Sequence, residues 1–339
     1  MQFAKCLSLA TGAVMAAAVS LSALVASAAP VELRVSHQWK QGTDARDRAL
    51  RVFVEEASKR APDLKFRIYP GLSLNIKALA QYDALQSGTL EMSIYPLVYA
   101  TGKVPEYSVT ILPGTVANLE EAGKLKNSDF HKKLQEVAER NGVHVLTWWW
   151  TPGGFVAKSR AIAGPETIKG LSMRAADPIY ESMLKAAGAS IQSMPSTELY
   201  SAMQSGVLDS LLTSTESLVS MRLYEQAKEA TLGGDYTLFM LLQPLLISKK
   251  TWDSLTPEQK AAMEAAATES EKFFNGTQKE SVDVAVEAYK KAGANVRPLG
   301  KAEYDEWVSL AKKTSWPEFE GKSADSKELL RLLQAGLGR

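Results

Sequence analysis

Apolar and polar residues alternate at Val31-Glu32-Leu33-Arg34-Val35 and again at Leu64-Lys65-Phe66-Arg67-Ile68, the two-residue period of strands with one buried face. Between them Ala49, Leu50, Phe53 and Ala57 recur at three- and four-residue spacing, which predicts a helix over 43–59. The pattern continues with a helix over 76–86 stopped at Gly88, a strand over 90–94, a helix over 130–140 stopped at Asn141-Gly142, and a strand over 143–150. Strands separated by helices predict an α/β protein with a mostly parallel sheet covered on both faces. In such sheets ligands sit beyond the carboxyl ends of the strands. After Pro152-Gly153-Gly154 a second unit begins, with strands over 155–157, 171–174 and 207–213 and helices over 178–187 and 196–205. An apolar segment over 239–247 follows Gly233-Gly234. Thr256-Pro257-Glu258-Gln259 then combines an N-cap, a proline in the first turn and a capping box. From there to about Lys291 only Gly276 interrupts helix-forming sequence, so one very long helix or a broken pair is expected.

The first 28 residues change the picture from a fold to a compartment. Lys5, the apolar run Leu7 to Val25 and the small-residue site Ala26-Ser27-Ala28 predict a cleaved secretory signal and a periplasmic protein. The only cysteine, Cys6, lies inside that signal, so the mature chain carries no disulfide and rests on its core alone. The chain has 39 basic and 38 acidic residues, and the signal holds Lys5 and no acid, which leaves the mature chain balanced. That balance argues against a nucleic-acid or anionic-membrane partner. Three histidines, His37, His131 and His144, are the whole imidazole supply. The chain has no G-x-S-x-G, H-E-x-x-H, P-loop or post-strand G-x-G-x-x-G motif, and no cofactor or metal-ligand spacing. A binding protein is therefore favoured over a secreted enzyme.

Candidate binding residues follow from positions at strand ends. Arg174 closes the strand 171–174 just before a helix, and a guanidinium there can grip a carboxylate through two parallel hydrogen bonds. The bland alternative for it is an inter-element ion pair. His37, Gln38 and Trp39 follow the first strand, and Tyr95 and Tyr99 follow the third; a lone histidine such as His37 is more often a satisfied hydrogen-bonding residue than a ligand contact. In Trp148-Trp149-Trp150 the middle ring must point away from the other two, which leaves Trp150, nearest the crossover, as a possible wall of the cleft. Thr213, Ser214 and Glu216 lie at another strand end, and Asp235 near the return crossover. Glu216 could pair with Arg174 or help hold a cation. For Tyr95 and for these last four the alternative is a solvated loop.

The stretch Gly170-Leu171-Ser172-Met173-Arg174, with Met194-Pro195-Ser196-Thr197-Glu198-Leu199-Tyr200 and Gln204-Ser205-Gly206-Val207-Leu208-Asp209, resembles the second-domain signature of TRAP (tripartite ATP-independent periplasmic) transporter solute-binding proteins. Ala84 to Met92 and Ile247 to Gln259 resemble two further segments of the same family, in the same order. The resemblance implies a two-domain periplasmic-binding-protein fold of type II-like form, with a ligand cleft between domains and a long helix spanning both. It implies domain I over 29–151 plus about 240–279, and domain II over 152–239 plus about 280–339. It also implies hinge closure on a small organic carboxylate held by Arg174, and delivery to membrane permease subunits, the receptor itself not being membrane-embedded. The alternative receptor reading is a solute-binding protein of an ATP-driven importer or sensor. Three positions depart from the family pattern: no second arginine near Gly153 or Gly154, Thr213 or Ser214 in place of a customary asparagine, and Ser196 where a phenylalanine is common.

Overall fold

The computed structural model describes residues 31–339; the expected signal segment, 1–28, lies outside the described residues. The strands are β1 (Val31–Ser36), β2 (Leu64–Tyr69), β3 (Met92–Ile94), β4 (Val143–Val145), β5 (Trp150–Ala157), β6 (Ser172–Arg174), β7 (Ser190–Ile191), β8 (Ser210–Ser214), β9 (Glu229–Thr231), β10 (Met240–Leu242), β11 (Leu245–Ser248) and β12 (Asn295–Arg297). They form two sheets. The first has the order β2-β1-β3-β11-β4, and the second β12-β9-β5-β8-β6-β7 with β10 also paired to β5.

The sheets are mixed rather than mostly parallel. β1 runs parallel to β2 and β3, and β6 parallel to β7 and β8. By contrast, β11 is antiparallel to β3 and β4, while β5 is antiparallel to β8, β9 and β10. The reason is that the chain passes between the sheets in two neighbouring segments that run in opposite directions. Leu242 pairs with Trp150 on one side, and Leu246 with Val145 on the other. The expected single strand over 143–150 is thus interrupted where it leaves the first sheet. Across that gap Thr147 Oγ1 accepts from Leu245 N (2.8 Å) and Glu271 Oε1 accepts from Trp148 N (2.6 Å). The apolar segment over 239–247 divides into β10 and β11 for the same reason. The three tryptophans obey their alternation: Trp148 and Trp150 pack together at 5.7 Å, whereas Trp149 stacks on Phe274 at 5.1 Å.

The helix begun by Thr256 is unbroken from Pro257 to Lys291, with both halves of the capping box formed. Gly276 sits within it, exposed, where a methyl group would meet nothing. The helix packs along Ala45–Arg60 of the first unit and against Thr215–Ser220 of the second. One assignment needs correcting. The last helix, Ala324–Gly336, lies against Asp129–Arg140 beside the first sheet, not with the second unit. Its Leu329, Leu330 and Leu333 join Phe130 and Leu134 in one apolar core, and Lys133 pairs with Asp325 and Glu328 at 2.9 Å each. That amphipathic pattern would suit either unit; only the three-dimensional partner decides. Among the described residues no helix is long and apolar enough to cross a membrane.

Candidate functional site

Arg174 ends β6, whose short apolar face (Met173) enters the core of the second unit while the guanidinium reaches toward the first. It is 1 % exposed. Nε donates to Met194 O at 2.9 Å and Nη1 to Leu212 O at 3.4 Å, but Nη2 is buried with no partner. Among the described residues no carboxylate forms an ion pair with it. Burial disfavours its charge and draws its pKa below the ordinary value, an effect the neighbouring Tyr99 hydroxyl opposes.

Residues of the first unit close over this group. Tyr99 lies on the turn after β3, and its hydroxyl accepts from Ser196 N (2.9 Å) and donates to Ser196 Oγ (3.3 Å). Burial pushes the Tyr99 phenol up, and the Arg174 charge and the Ser196 contacts outweigh it, holding the phenol below its usual range. Gln38, after β1, donates from Nε2 to Ser196 Oγ at 3.1 Å, and its Oε1 is buried without a partner. The Tyr95 ring meets Tyr99 edge-on at 6.0 Å, and its hydroxyl is likewise buried and unpartnered. Ser196 is small enough to let both first-unit side chains reach it.

A second contact across the cleft uses a residue the sequence did not single out. Arg46 is fully buried at the start of the helix Ala45–Arg60, gripped by Asp44 through two bonds of 2.7 Å and lying over the Trp39 ring at 4.2 Å. It also reaches Gln243 Oε1 (2.8 Å), Ser214 Oγ (3.3 Å) and Ser217 Oγ (3.2 Å). Burial pushes the Asp44 carboxyl up, but the Arg46 charge and hydrogen bonds outweigh it and keep it below the usual range. This cation is therefore already neutralised within its own helix cap.

Several expected site residues prove to be engaged elsewhere. His37 is fully buried; its Nε2 meets Asp47 Oδ1 at 3.1 Å and its Nδ1 accepts from Trp39 N at 3.2 Å, so neither ring nitrogen is left for a ligand. Ser214 caps the helix Thr215–Ser220 and accepts from Arg46. Glu216 does not pair with Arg174; it accepts from Ala45 N (3.3 Å) and Gln278 Nε2 (3.1 Å). Trp150 is buried beside Trp148, at a cavity bounded by Leu119, Ala122 and Asn275. Asp235 is exposed and lines a different cavity with Phe155, Leu232 and Leu299. Thr213 is buried next to the Leu212 carbonyl that Arg174 uses, and Trp39 borders the cleft mouth with Gln38, Ser196 and Tyr200. Tyr95, Thr213 and Ser214 are thus core positions, not solvated loop. The residues brought together are Arg174, Gln38, Tyr95, Tyr99 and Ser196.

One more buried carboxyl crosses the cleft. Asp177 caps the helix Pro178–Ala186 through Oδ1 and accepts from Ser108 Oγ at 2.7 Å through Oδ2. Burial pushes it up to about 6, against the hydrogen bonds from Ser108 and the backbone. Because the folded carboxyl holds its proton more tightly than the unfolded one, native protein binds more protons between about pH 4 and 6. Stability contributed here is present below about pH 4 and is lost as pH rises through 6, by about 3 kcal/mol at most. Asp177→Asn keeps the cap and is expected to lack this slope. Urea melts of both proteins from pH 4 to 7 check it, and superimposable pH profiles would refute the assignment.

The family model for bacterial extracellular solute-binding proteins, family 7, matches residues 35–322. A solute-binding protein of Albidiferax ferrireducens is 36% identical over 332 residues, covering 94% of this chain and 98% of the relative. The C4-dicarboxylate-binding periplasmic protein DctP of Rhodobacter capsulatus is 28% identical, covering 82% and 83%. The crystal structure of a TRAP periplasmic solute-binding protein from Rhodoferax ferrireducens with bound malonate superposes with a TM-score of 0.88 at 36% identity, covering 90% of this chain and 98% of that one. A Chromohalobacter salexigens TRAP periplasmic solute-binding protein with bound D-glucuronate, 17% identical, shares the fold with a TM-score of 0.82 and coverage of 90% and 99%. With two sheets joined by paired crossovers, a spanning helix and a buried arginine between the units, this chain belongs to family 7 of the bacterial extracellular solute-binding proteins and is a TRAP-type solute-binding receptor.

Proposed function

We propose that this receptor works in the periplasm after loss of residues 1–28, captures a small organic acid with its carboxylate on Arg174, and hands it to the permease subunits of a TRAP transporter. One observation carries the reading. Arg174 is a buried guanidinium with an unpartnered Nη2 and no ion-paired carboxylate among the described residues. A buried charge without a counter-charge is costly, and interiors normally pair or neutralise it. Arg46 illustrates the ordinary solution, since Asp44 neutralises it at 2.7 Å. A solute carboxylate does for Arg174 what Asp44 does for Arg46. Gln38, Tyr95 and Tyr99 from the first unit then close over the solute, and the closed form is favoured by the contacts that only it makes. The malonate in the 36%-identical Rhodoferax protein supports an acid of this kind.

The test is thermal unfolding of protein beginning at Ala29, stripped of carried solute by unfolding and refolding, against a panel of organic acids and neutral sugars. A ligand present at 100 times its Kd stabilises the native state by about 2.7 kcal/mol. For a chain of this size that is a rise in Tm of roughly 4 °C. Acids should produce it and neutral sugars should not. A panel in which no carboxylate raises Tm would remove the reading.

A further inference from the structure

We propose that Arg46 sets the balance between the open and closed receptor, as a positioning residue that touches no solute. This rests on the hinge closure of the receptor reading and not on the identity of the solute. The first unit and its crossover hold the guanidinium rigidly. Asp44 accepts from Nε and Nη2 at 2.7 Å each, Gln243 Oε1 accepts from Nη1 at 2.8 Å, and the Trp39 ring lies 4.2 Å away. The remaining donors cross to the second unit, Nη1 to Ser214 Oγ at 3.3 Å and Nη2 to Ser217 Oγ at 3.2 Å. All five guanidinium N–H groups are thereby used, and none is left for a carboxylate.

The place of this bridge ties it to closure. Ser214 is the N-cap of the helix Thr215–Ser220, which follows β8, and Ser217 lies in its first turn. Arg46 lies in the first turn of Ala45–Arg60. Both helices pack on the spanning helix, and polar side chains bridge them. Open space flanks the bridge on two sides. One is the cleft mouth, about 320 Å³, where Gln38 and Trp39 border the same cavity as Ser220 and Met221. The other is a groove of about 420 Å³ with Thr43 and Arg48 on the first unit and Arg222 and Tyr224 on the second. Parting the bridge exchanges its hydrogen bonds for water, and one such bond shifts an equilibrium by about 5-fold. A donor already fixed by Asp44 and Gln243 loses little freedom when it meets the serines, so these bonds favour the closed form. The return contact, from Ala45 N to Glu216 Oε2 at 3.3 Å, adds less, because burial and the Asp44 charge oppose the ionised carboxyl. The apparent Kd for any solute is that of the closed form divided by the closed fraction. Weakening the bridge therefore weakens every solute by one factor.

The experiment is double electron–electron resonance on the receptor beginning at Ala29, spin-labelled through Lys59→Cys in the first unit and Lys185→Cys in the second. Both lysines are exposed, and the chain from Ala29 onward has no cysteine of its own. Solute-free protein should show two distance populations, the closed one matching this structure. Ser217→Ala, which keeps the helix cap, should lower the closed-to-open ratio by about 5-fold. Arg46→Lys keeps a charge beside Asp44 but loses the fork, and should lower the ratio by about 5- to 25-fold. Calorimetry with the acid panel should give Kd values raised in proportion to the lost closed fraction, by one factor for every acid that binds. A ratio unchanged in Ser217→Ala, or a single distance in every protein, would overturn the proposal. So would a factor that differs between acids, since these residues would then touch the solute. If no acid binds the parent, the carboxylate reading fails and the distance ratio still decides this one.

Discussion

Arg174→Met is expected to abolish solute binding while leaving the empty receptor no less stable. Methionine fills much of the same volume, and it removes a buried guanidinium that has no ion-paired carboxylate among the described residues. In the loaded state the loss is of the opposite kind. Truncating one partner of a buried, hydrogen-bonded charge pair costs about 2–5 kcal/mol, because the other charge stays desolvated. Micromolar binding is worth only about 8 kcal/mol in total, so affinity should fall out of the measurable range. Arg174→Lys keeps the charge but loses the fork and the Nε bond to Met194 O, and should recover only part of the affinity. Calorimetry with the best acid of the panel, paired with thermal unfolding of the empty proteins, reads both effects. A methionine variant that binds within about threefold of the parent would place the carboxylate elsewhere.

The second large effect concerns folding. Gly153 and Gly154 lie in β5 where it enters the second sheet, and neither has room for a side chain. A Cβ at Gly153 would lie 2.1 Å from Thr213 O and 2.5 Å from the Phe239 ring; at Gly154 it would lie 2.4 Å from Thr231 O. Two of these neighbours are strand carbonyls, which cannot swing aside as a flexible side chain would. Gly153→Ala should therefore destabilise by about 3 kcal/mol or more, at the upper end of overpacking effects, and lower Tm by roughly 5 °C or more. Gly276→Ala, at an open helical site, is the matching control and should be neutral or slightly stabilising. Equal melting temperatures for Gly153→Ala and the parent would show that the crossover yields.

Much of the scaffold was legible because its signals are local. The capping box at Thr256 marked the start of the 35-residue helix and the run of helix formers behind it its approximate end, while leaving open whether Gly276 breaks it. The alternation at Val31–Val35 and the strand ending in Arg174 were equally direct. Strand direction was not legible, since β10 and β11 read as one apolar run and only the passage between sheets divides them. Arg46 escaped notice because, in the chain, it is one of several charges on an amphipathic helix; its partners Ser214 and Gln243 lie 168 and 197 residues away. His37 could be read both ways: its place after β1 suggested the cleft, but a lone histidine is more often satisfied within the fold, and Asp47, ten residues on, takes its ring. Ser196 was noticed only as a departure from a family pattern, and its use as the meeting point of Gln38 and Tyr99 required the cleft to be seen closed.

The spanning helix has a mechanical meaning beyond its packing. At 1.5 Å per residue its 35 residues reach about 52 Å. It is fastened to the first unit by Ser270 Oγ on Ala49 O (2.6 Å), and to the second by Thr215 Oγ1 with Ser281 Oγ (2.9 Å) and by Gln278 with Glu216. No break separates the two sets of fastenings, so relative rotation of the units loads the rod itself. On the hinge closure proposed above, filling the cleft would incline a surface that never touches the solute, and a partner gripping only that outer surface could tell a laden receptor from an empty one.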